Sequence, residues 1–277
     1  MAHRYRDWKK GGHGMVDMHR AIVQSCDTYF YGLANDMGID AIHDFLSRFG
    51  FGTRSGIDIE GELPGLAPSQ EWKRERFKQK WYAGDTVSVG IGQGYMLATP
   101  LQLATAVATL ANGGVPVHPH LLKAVEDART HVSKAFVPAG GSAPIVKPEN
   151  LAIIRAAMAD VTRPGGTAAA TGAVAPYSIA AKTGTAQVVG MKQNEKYDEK
   201  RMKREHWDHA LFIAFAPADD PRLALAILVE NGQHGGSTAG PIARAVFDYY
   251  LLGKRPVVKS LPPPPETDAP APEEEHD

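Results

Sequence analysis

HALFIAFA (209–216), PADDP (217–221) and LALAILVE (223–230) decide the fold. Two apolar runs of strand length flank a short Pro/Asp turn, so they form a hairpin. Both runs are nearly continuously apolar, as strands of a buried sheet are. Upstream, SIAAKTGTAQVV (178–189) reads as a third strand. Downstream, TAGPIARAVFDYYLL (238–252) reads as a helix that packs on the sheet. The stretch Met191–Asp208 is rich in Lys, Arg and Glu and reads as a solvated loop between the first two strands.

Further toward the N-terminus the period becomes helical. Met15–Gln24 and Thr28–Met37 carry apolar residues at helical spacing, and Ser25-Cys26-Asp27 between them suits an N-cap. Ile39–Phe49 places Ile42, Phe45, Leu46 and Phe49 on one face. Thr99 caps and Pro100 opens a helix over Leu101–Ala111, which Gly113-Gly114 ends. Pro148–Val161 is another helix, stopped by Arg163-Pro164-Gly165-Gly166. Helices, then strands, then a closing helix imply an α+β fold, with a helical lobe beside an antiparallel sheet. From Lys254 to Asp277 the chain holds seven prolines and ends in an acidic run. That composition cannot bury a core, so residues 254–277 are expected to be disordered and 1–253 to form the domain.

Bulk composition excludes several classes. Hydrophobic residues make up 43% and charged residues 22%, as in globular proteins. A formal net charge of -1 asks for no nucleic acid and no anionic membrane surface. Cys26 is the only cysteine, so no internal disulfide forms. No run of 18 apolar residues exists, and Met1–Gly14 has no apolar core of a signal peptide. Taken alone, such a chain reads as cytosolic.

Two short motifs carry chemistry. Lys182-Thr183-Gly184-Thr185 brings an ammonium and two hydroxyls along one strand, with a glycine where a ligand can approach the backbone. Such an edge offers N–H groups to an oxyanion and can pair with an added peptide strand. The four letters also fit a strand with an exposed polar rim. Ser25 and Asp27 stand 157 and 155 positions before Lys182, and read either as a cap or as a proton relay with a supporting carboxylate.

A lysine-containing strand motif and a serine-containing second motif occur together in β-lactamases and penicillin-binding proteins, beside an S-x-x-K nucleophile. Further stretches strengthen the likeness: Asp85-Thr86-Val87-Ser88-Val89-Gly90-Ile91-Gly92-Gln93-Gly94, Thr99–Ala104, and Arg163-Pro164-Gly165-Gly166-Thr167-Ala168. With Asp7–Gly14, Ser25–Tyr31 and Asp36–Asp40, they resemble, in order, the elongation-specific class B penicillin-binding proteins (the penicillin-binding protein 2 group). The likeness runs from about residue 5 to 253.

This resemblance implies a peptidoglycan D,D-transpeptidase on the periplasmic face of the inner membrane. A serine would attack the D-Ala-D-Ala bond of a stem peptide, and an amine of another stem would take the acyl group. β-Lactams would trap that serine, and the glycan polymerase of the elongation machinery would be a partner. Ser25, Asp27 and Lys182 would be catalytic; Thr183, Gly184 and Thr185 would bind substrate. The family motif has Asn where Asp27 stands. No serine in the chain is followed three positions later by lysine, and the 24 residues before Ser25 contain no serine. The nucleophile and the N-terminal part of the domain are therefore expected to be missing, and the isolated chain inactive. No cofactor is required, but Asp7, His13 and Cys26 offer zinc an oxygen, a nitrogen and a sulfur. Some family members resemble this pattern with one further upstream Asp, a fourth ligand that would be absent here; the same residues also read as a buried cysteine and a polar loop. Rival readings are a serine β-lactamase or D,D-carboxypeptidase, which the Gly-Gln-Gly segment disfavours, and a non-catalytic protein that binds glycan peptide or a partner.

Overall fold

The computed structural model describes residues 5–138, 142–189 and 203–256. The chain runs through α1 (Met18–Gln24), α2 (Asp27–Met37), α3 (Ile39–Ser47), α4 (Gln70–Phe77), α5 (Ala83–Gly90) and α6 (Pro100–Ala111). A small hairpin follows, β1 (Ala124–Glu126) and β2 (Ser133–Ala135), then α7 (Pro148–Asp160) and α8 (Ala169–Gly172). The main sheet is β3 (Ala180–Ala186), β4 (His209–Ala216) and β5 (Leu223–Val229), and α9 (Gly240–Leu252) closes the domain. This is the α+β arrangement of helical lobe and antiparallel sheet.

Strand order is β3-β4-β5, antiparallel throughout, with β4 in the middle. The apolar run of β4 has a direct cause: both its faces are covered. Ala210, Phe212, Ala214 and Ala216 join a core with Ala243 and Phe247 of α9. Ile213 and Phe215 point the other way, into a core with Val107 of α6 and Met158 of α7. Side chains alternate along β3 as well. Ala181 belongs to the first core and Ala180 to the second, so Lys182 shares the face of Ala180 and looks toward the helical lobe.

Local chemistry accounts for several boundaries. Thr99 Oγ1 accepts from the Gln102 N–H at 3.1 Å, and Gln102 Oε1 accepts from the Thr99 N–H at 2.9 Å, a capping box at the start of α6. The buried Gln102 amide also donates to Thr53 O at 2.8 Å and Pro64 O at 2.7 Å, tying α6 to the segment after α3. The closing helix begins later than its pattern suggests, because Gly235–Ala239 forms a π turn. A Cβ on Gly235 would lie 2.1 Å from Leu211 O, so glycine lets this turn press on β4.

Other expectations need correcting. Ser25 does not N-cap a helix. It is the C-cap of α1 in left-handed conformation, φ 54°, and α2 starts at Asp27 without a side-chain cap. Three elements have no clear pattern in the sequence. Helix α4, QEWKRERF, is too polar to show an apolar stripe. Helix α5, AGDTVSVG, holds glycines and β-branched residues that favour other states, and is held by an Asp85 cap and by burial of Thr86, Val87 and Val89. The strands of the small hairpin have three residues each. The third strand is shorter than its apolar stretch, and most of the charged segment 191–208 lies outside the described residues, as does tail segment 257–277.

Phe212 is fully buried in the central strand. Phe212→Ala should cost about 3–5 kcal/mol in urea unfolding. A loss below 1 kcal/mol would mean that the two-faced sheet is not the core.

Candidate functional site

The break between α1 and α2 faces β3. Lys182 Nζ donates to Ser25 Oγ at 2.7 Å and to Thr183 O at 2.9 Å. Two residues 157 positions apart thus meet in one cleft. The left-handed backbone at Ser25 makes this contact available, since it ends α1 and turns the residue out of the helix path. Burial pulls the Lys182 ammonium from its ordinary 10.5 down to about 8, against the attraction of the nearby Asp27 carboxylate. An amine of that pKa exchanges protons readily near neutral pH, and Ser25 is placed to pass one on.

Asp27 lies near enough for its charge to act on Lys182, but it hydrogen-bonds elsewhere. Its Oδ2 accepts the backbone N–H of Trp8 at 3.0 Å. Burial raises its pKa, the charge of Asp7 adds to the rise, and the Trp8 N–H and the Lys182 charge oppose it. Trp8 closes the same corner by donating its indole N–H to Ser25 O at 2.9 Å. Asp27 therefore supports the break through the N-terminal segment.

The rest of the strand motif lines the cleft. Thr183 Oγ1 and Thr167 Oγ1 lie 3.0 Å apart, and the Thr167 N–H donates to Val23 O, so the Gly165-Gly166-Thr167 turn braces β3 against α1. A Cβ on Gly184 would meet Leu211 Cβ at 3.1 Å, so the strand passes close to β4 there. Thr185 is exposed, and its carbonyl accepts from Gln93 Nε2 at 3.4 Å. Among the described residues β3 pairs only with β4, so its other edge is unpaired by any strand.

Cys26 points to the opposite side of the break. Its thiol donates to Asp7 Oδ2 at 3.2 Å. His13 Nδ1 lies 3.2 Å from Asp7 Oδ1, yet it is buried with no hydrogen-bond partner. The ligand atoms of Asp7, His13 and Cys26 all lie within 4.8 Å of one another. Burial works against the Asp7 charge, but bonds from the Lys9 N–H, Cys26 and Thr28, with the His13 imidazole beside it, outweigh it and hold the pKa below the ordinary value. An orphaned imidazole nitrogen beside a thiol and an ionised carboxylate is a donor set that suits zinc.

All nine residues singled out by sequence fall at this one place: Ser25, Asp27, Lys182 and Thr183–Thr185 on the cleft side, Asp7, His13 and Cys26 behind it. Trp8, Thr167 and Gln93 also build the site. The family-like segments around them were visible in the sequence, but no spacing assigned them these contacts. A separate cavity of about 720 Å³, lined by Phe30, Ala34, Phe51, Val89 and Leu211 among others, lies between the helices and the sheet. Its lining is apolar except for His209, whose Nδ1 accepts the Asn231 N–H.

A titration of Lys182 by NMR should show its ammonium ionising near pH 8. Asp27→Asn should lower that value further, because a negative charge that favours the ammonium is removed. An ordinary lysine titration would refute the buried pair.

Residues 1–248 match the penicillin binding protein transpeptidase domain. Peptidoglycan D,D-transpeptidase MrdA of Acinetobacter baumannii is 48% identical over 259 residues, which cover 92% of this chain and 37% of that protein. The structure of Pseudomonas aeruginosa PBP2 in complex with WCK 5153 aligns with a TM-score of 0.79 and 43% identity, covering 91% of this chain and 51% of that one. Helicobacter pylori PBP2, solved in complex with MreC, aligns at 0.76 with 33% identity over 91% of this chain and 43% of that one. The chain thus spans well under half the length of the curated relative. With a family match over nine-tenths of its residues and a lysine–serine cleft in the matched region, the chain belongs to the penicillin-binding protein transpeptidase family.

Proposed function

We propose that this chain supplies the second and third catalytic motifs of a peptidoglycan D,D-transpeptidase acting in cell elongation. The 2.7 Å bond between Lys182 Nζ and Ser25 Oγ carries the reading. The nucleophilic serine and its lysine are supplied outside these 277 residues, since no S-x-x-K occurs within them. In the complete site that serine attacks the carbonyl of the penultimate D-Ala. The C–N bond breaks, and the terminal D-Ala leaves with a proton. Ser25, with Lys182 behind it, stands where that proton is delivered and where a proton is later taken from the incoming amine. Thr183 and Thr185 bind the substrate carboxylate, and the strand edge at Gly184 admits its backbone. Asp27 holds the Ser25 turn in place through Trp8.

Location and partners follow the relatives. We place the protein on the periplasmic face of the inner membrane; among the described residues no helix is long and apolar enough to cross one. Its partners would be stem peptides, the glycan polymerase of the elongation machinery and, as for the H. pylori relative, MreC. The missing S-x-x-K also favours a second reading for the chain alone, a non-catalytic binder of stem peptide.

Asp7, His13 and Cys26 would hold a structural zinc that ties the N-terminal segment to the α1–α2 break. The orphaned His13 nitrogen supports it. Bound there, zinc would act as a cross-link, and no proton transfer requires it.

Mass spectrometry after β-lactam treatment tests the enzyme reading. The chain alone should carry no adduct, and a protein extended by the S-x-x-K segment should gain one on that serine. In the extended protein, Lys182→Ala should slow acylation about 10²–10⁴-fold. An adduct on a serine of the present chain, or an unchanged rate, would sink the assignment. Binding of a D-Ala-D-Ala peptide without any adduct in the extended protein would favour the non-catalytic reading.

Zinc is tested separately by metal content and thermal unfolding. Zinc loading should raise the melting temperature of the wild type and not of Cys26→Ser. Equal zinc content in the two proteins would end the idea.

A further inference from the structure

Lys73 lies in the middle of α4, in a run of charged residues that reads as solvent-facing. It is instead 2% exposed. Its ammonium is ion-paired with Asp85. Three rings surround it, with centroids 4.8 Å (Tyr82), 5.3 Å (Tyr95) and 5.5 Å (Trp81) from Nζ. Cation–π attraction and the carboxylate offset the loss of water. Burial works against the charge, but the Asp85 bond prevails and the pKa of Lys73 is raised.

A buried ion pair is weak as a source of stability, since an apolar residue of similar size packs as well. What it does provide is a fixed arrangement. Lys73 grips two ends of one segment. Asp85 and Tyr82 stand at the start of α5, where Asp85 also accepts the Tyr82 N–H at 2.9 Å. Tyr95 stands just beyond Gly90-Ile91-Gly92-Gln93-Gly94 and meets Trp72 of α4 edge to face, with ring centroids 5.2 Å apart. The loop between closes α5: the Gly92 N–H donates to Val89 O at 2.8 Å and the Gln93 N–H to Ser88 O at 3.0 Å, with Gly92 and Gly94 at φ +76° and +68°. Those bonds tie it to α5, so its place on the sheet follows from where α5 and Tyr95 are held. At its tip Gln93 Nε2 meets Thr185 O of β3.

We propose that Lys73 is a positioning residue, which through its clasp on Asp85 and Tyr95 holds the Gly90–Gly94 loop and Gln93 against the rim of the peptide cleft. The effect on peptide rests on the transpeptidase reading; the effect on the loop does not.

Hydrogen exchange and peptide binding, measured on this chain, test the two parts. Lys73→Met should speed amide exchange at residues 90–95 by on the order of tenfold, while β4 stays slow. It should also weaken binding of a peptide ending in D-Ala-D-Ala by about three- to tenfold. Lys73→Arg, which keeps the cation, should restore both. In Lys73→Met/Gln93→Ala the loss of affinity should equal that of Gln93→Ala alone, because both act through one contact. Should Lys73→Met fail to fold, Tyr95→Leu opens the cage without leaving an unpaired carboxylate and should release the loop alike. Unchanged exchange at 90–95 in either folded variant, or additive losses of affinity, overturns the proposal. A wild type that binds no such peptide even when extended by the S-x-x-K segment overturns the transpeptidase reading instead, and the exchange result still decides the role of Lys73.

Discussion

The ammonium of Lys182, desolvated and bonded to the hydroxyl of Ser25, is the contact on which the site depends. It joins the sheet to the helical lobe at a point where each contributes one atom. The sheet presents the lysine because β3 alternates and its even-numbered residues look toward the lobe. The lobe presents the serine because α1 ends in a left-handed residue. A one-residue slip of β3 against β4 would turn Lys182 to the opposite face, and the lysine–serine pair would not exist.

Around this contact, three consecutive residues serve three surroundings. Ser25 faces the cleft, Cys26 is buried against Asp7, and Asp27 receives the N–H of Trp8. None of the three caps a helix with its side chain. The segment 7–13 supplies what the break lacks: hydrogen bonds for its polar groups and cover for its buried thiol. Buried polar networks of this kind fix one geometry when each member is paired. His13 Nδ1 is the exception: it sits 3.2 Å from Asp7 Oδ1 without a hydrogen bond, next to the Cys26 thiol.

The other side of the cleft is built on different physics. The Gly-Gln-Gly loop is turned by its own bonds to the end of α5, and the elements on either side of it are clasped by a cation in an aromatic cage. Charge–ring and charge–charge attraction at Lys73 therefore do for this wall what strand register does for β3. Beside that loop, the apolar cavity is bordered by Gly90, Gly92 and Ala186 and contains no acid or base beyond His209.

Much of this was legible from residue order alone. The apolar runs 209–216 and 223–230 and the turn between them determined the hairpin, and Thr99-Pro100 determined the start of α6, because backbone pairing and capping are local. The motif residues and the family could also be read, since chemistry constrains residue type. Tertiary structure decided what depends on surroundings. EWKRERF looks like any solvated helix until rings and a carboxylate close over Lys73. Ser25 looks like a cap until the strand brings Lys182 to it. Water favours the charged form of every lysine alike; only the folded chain removes that water from two of them, and it does so by contacts between residues far apart in the sequence.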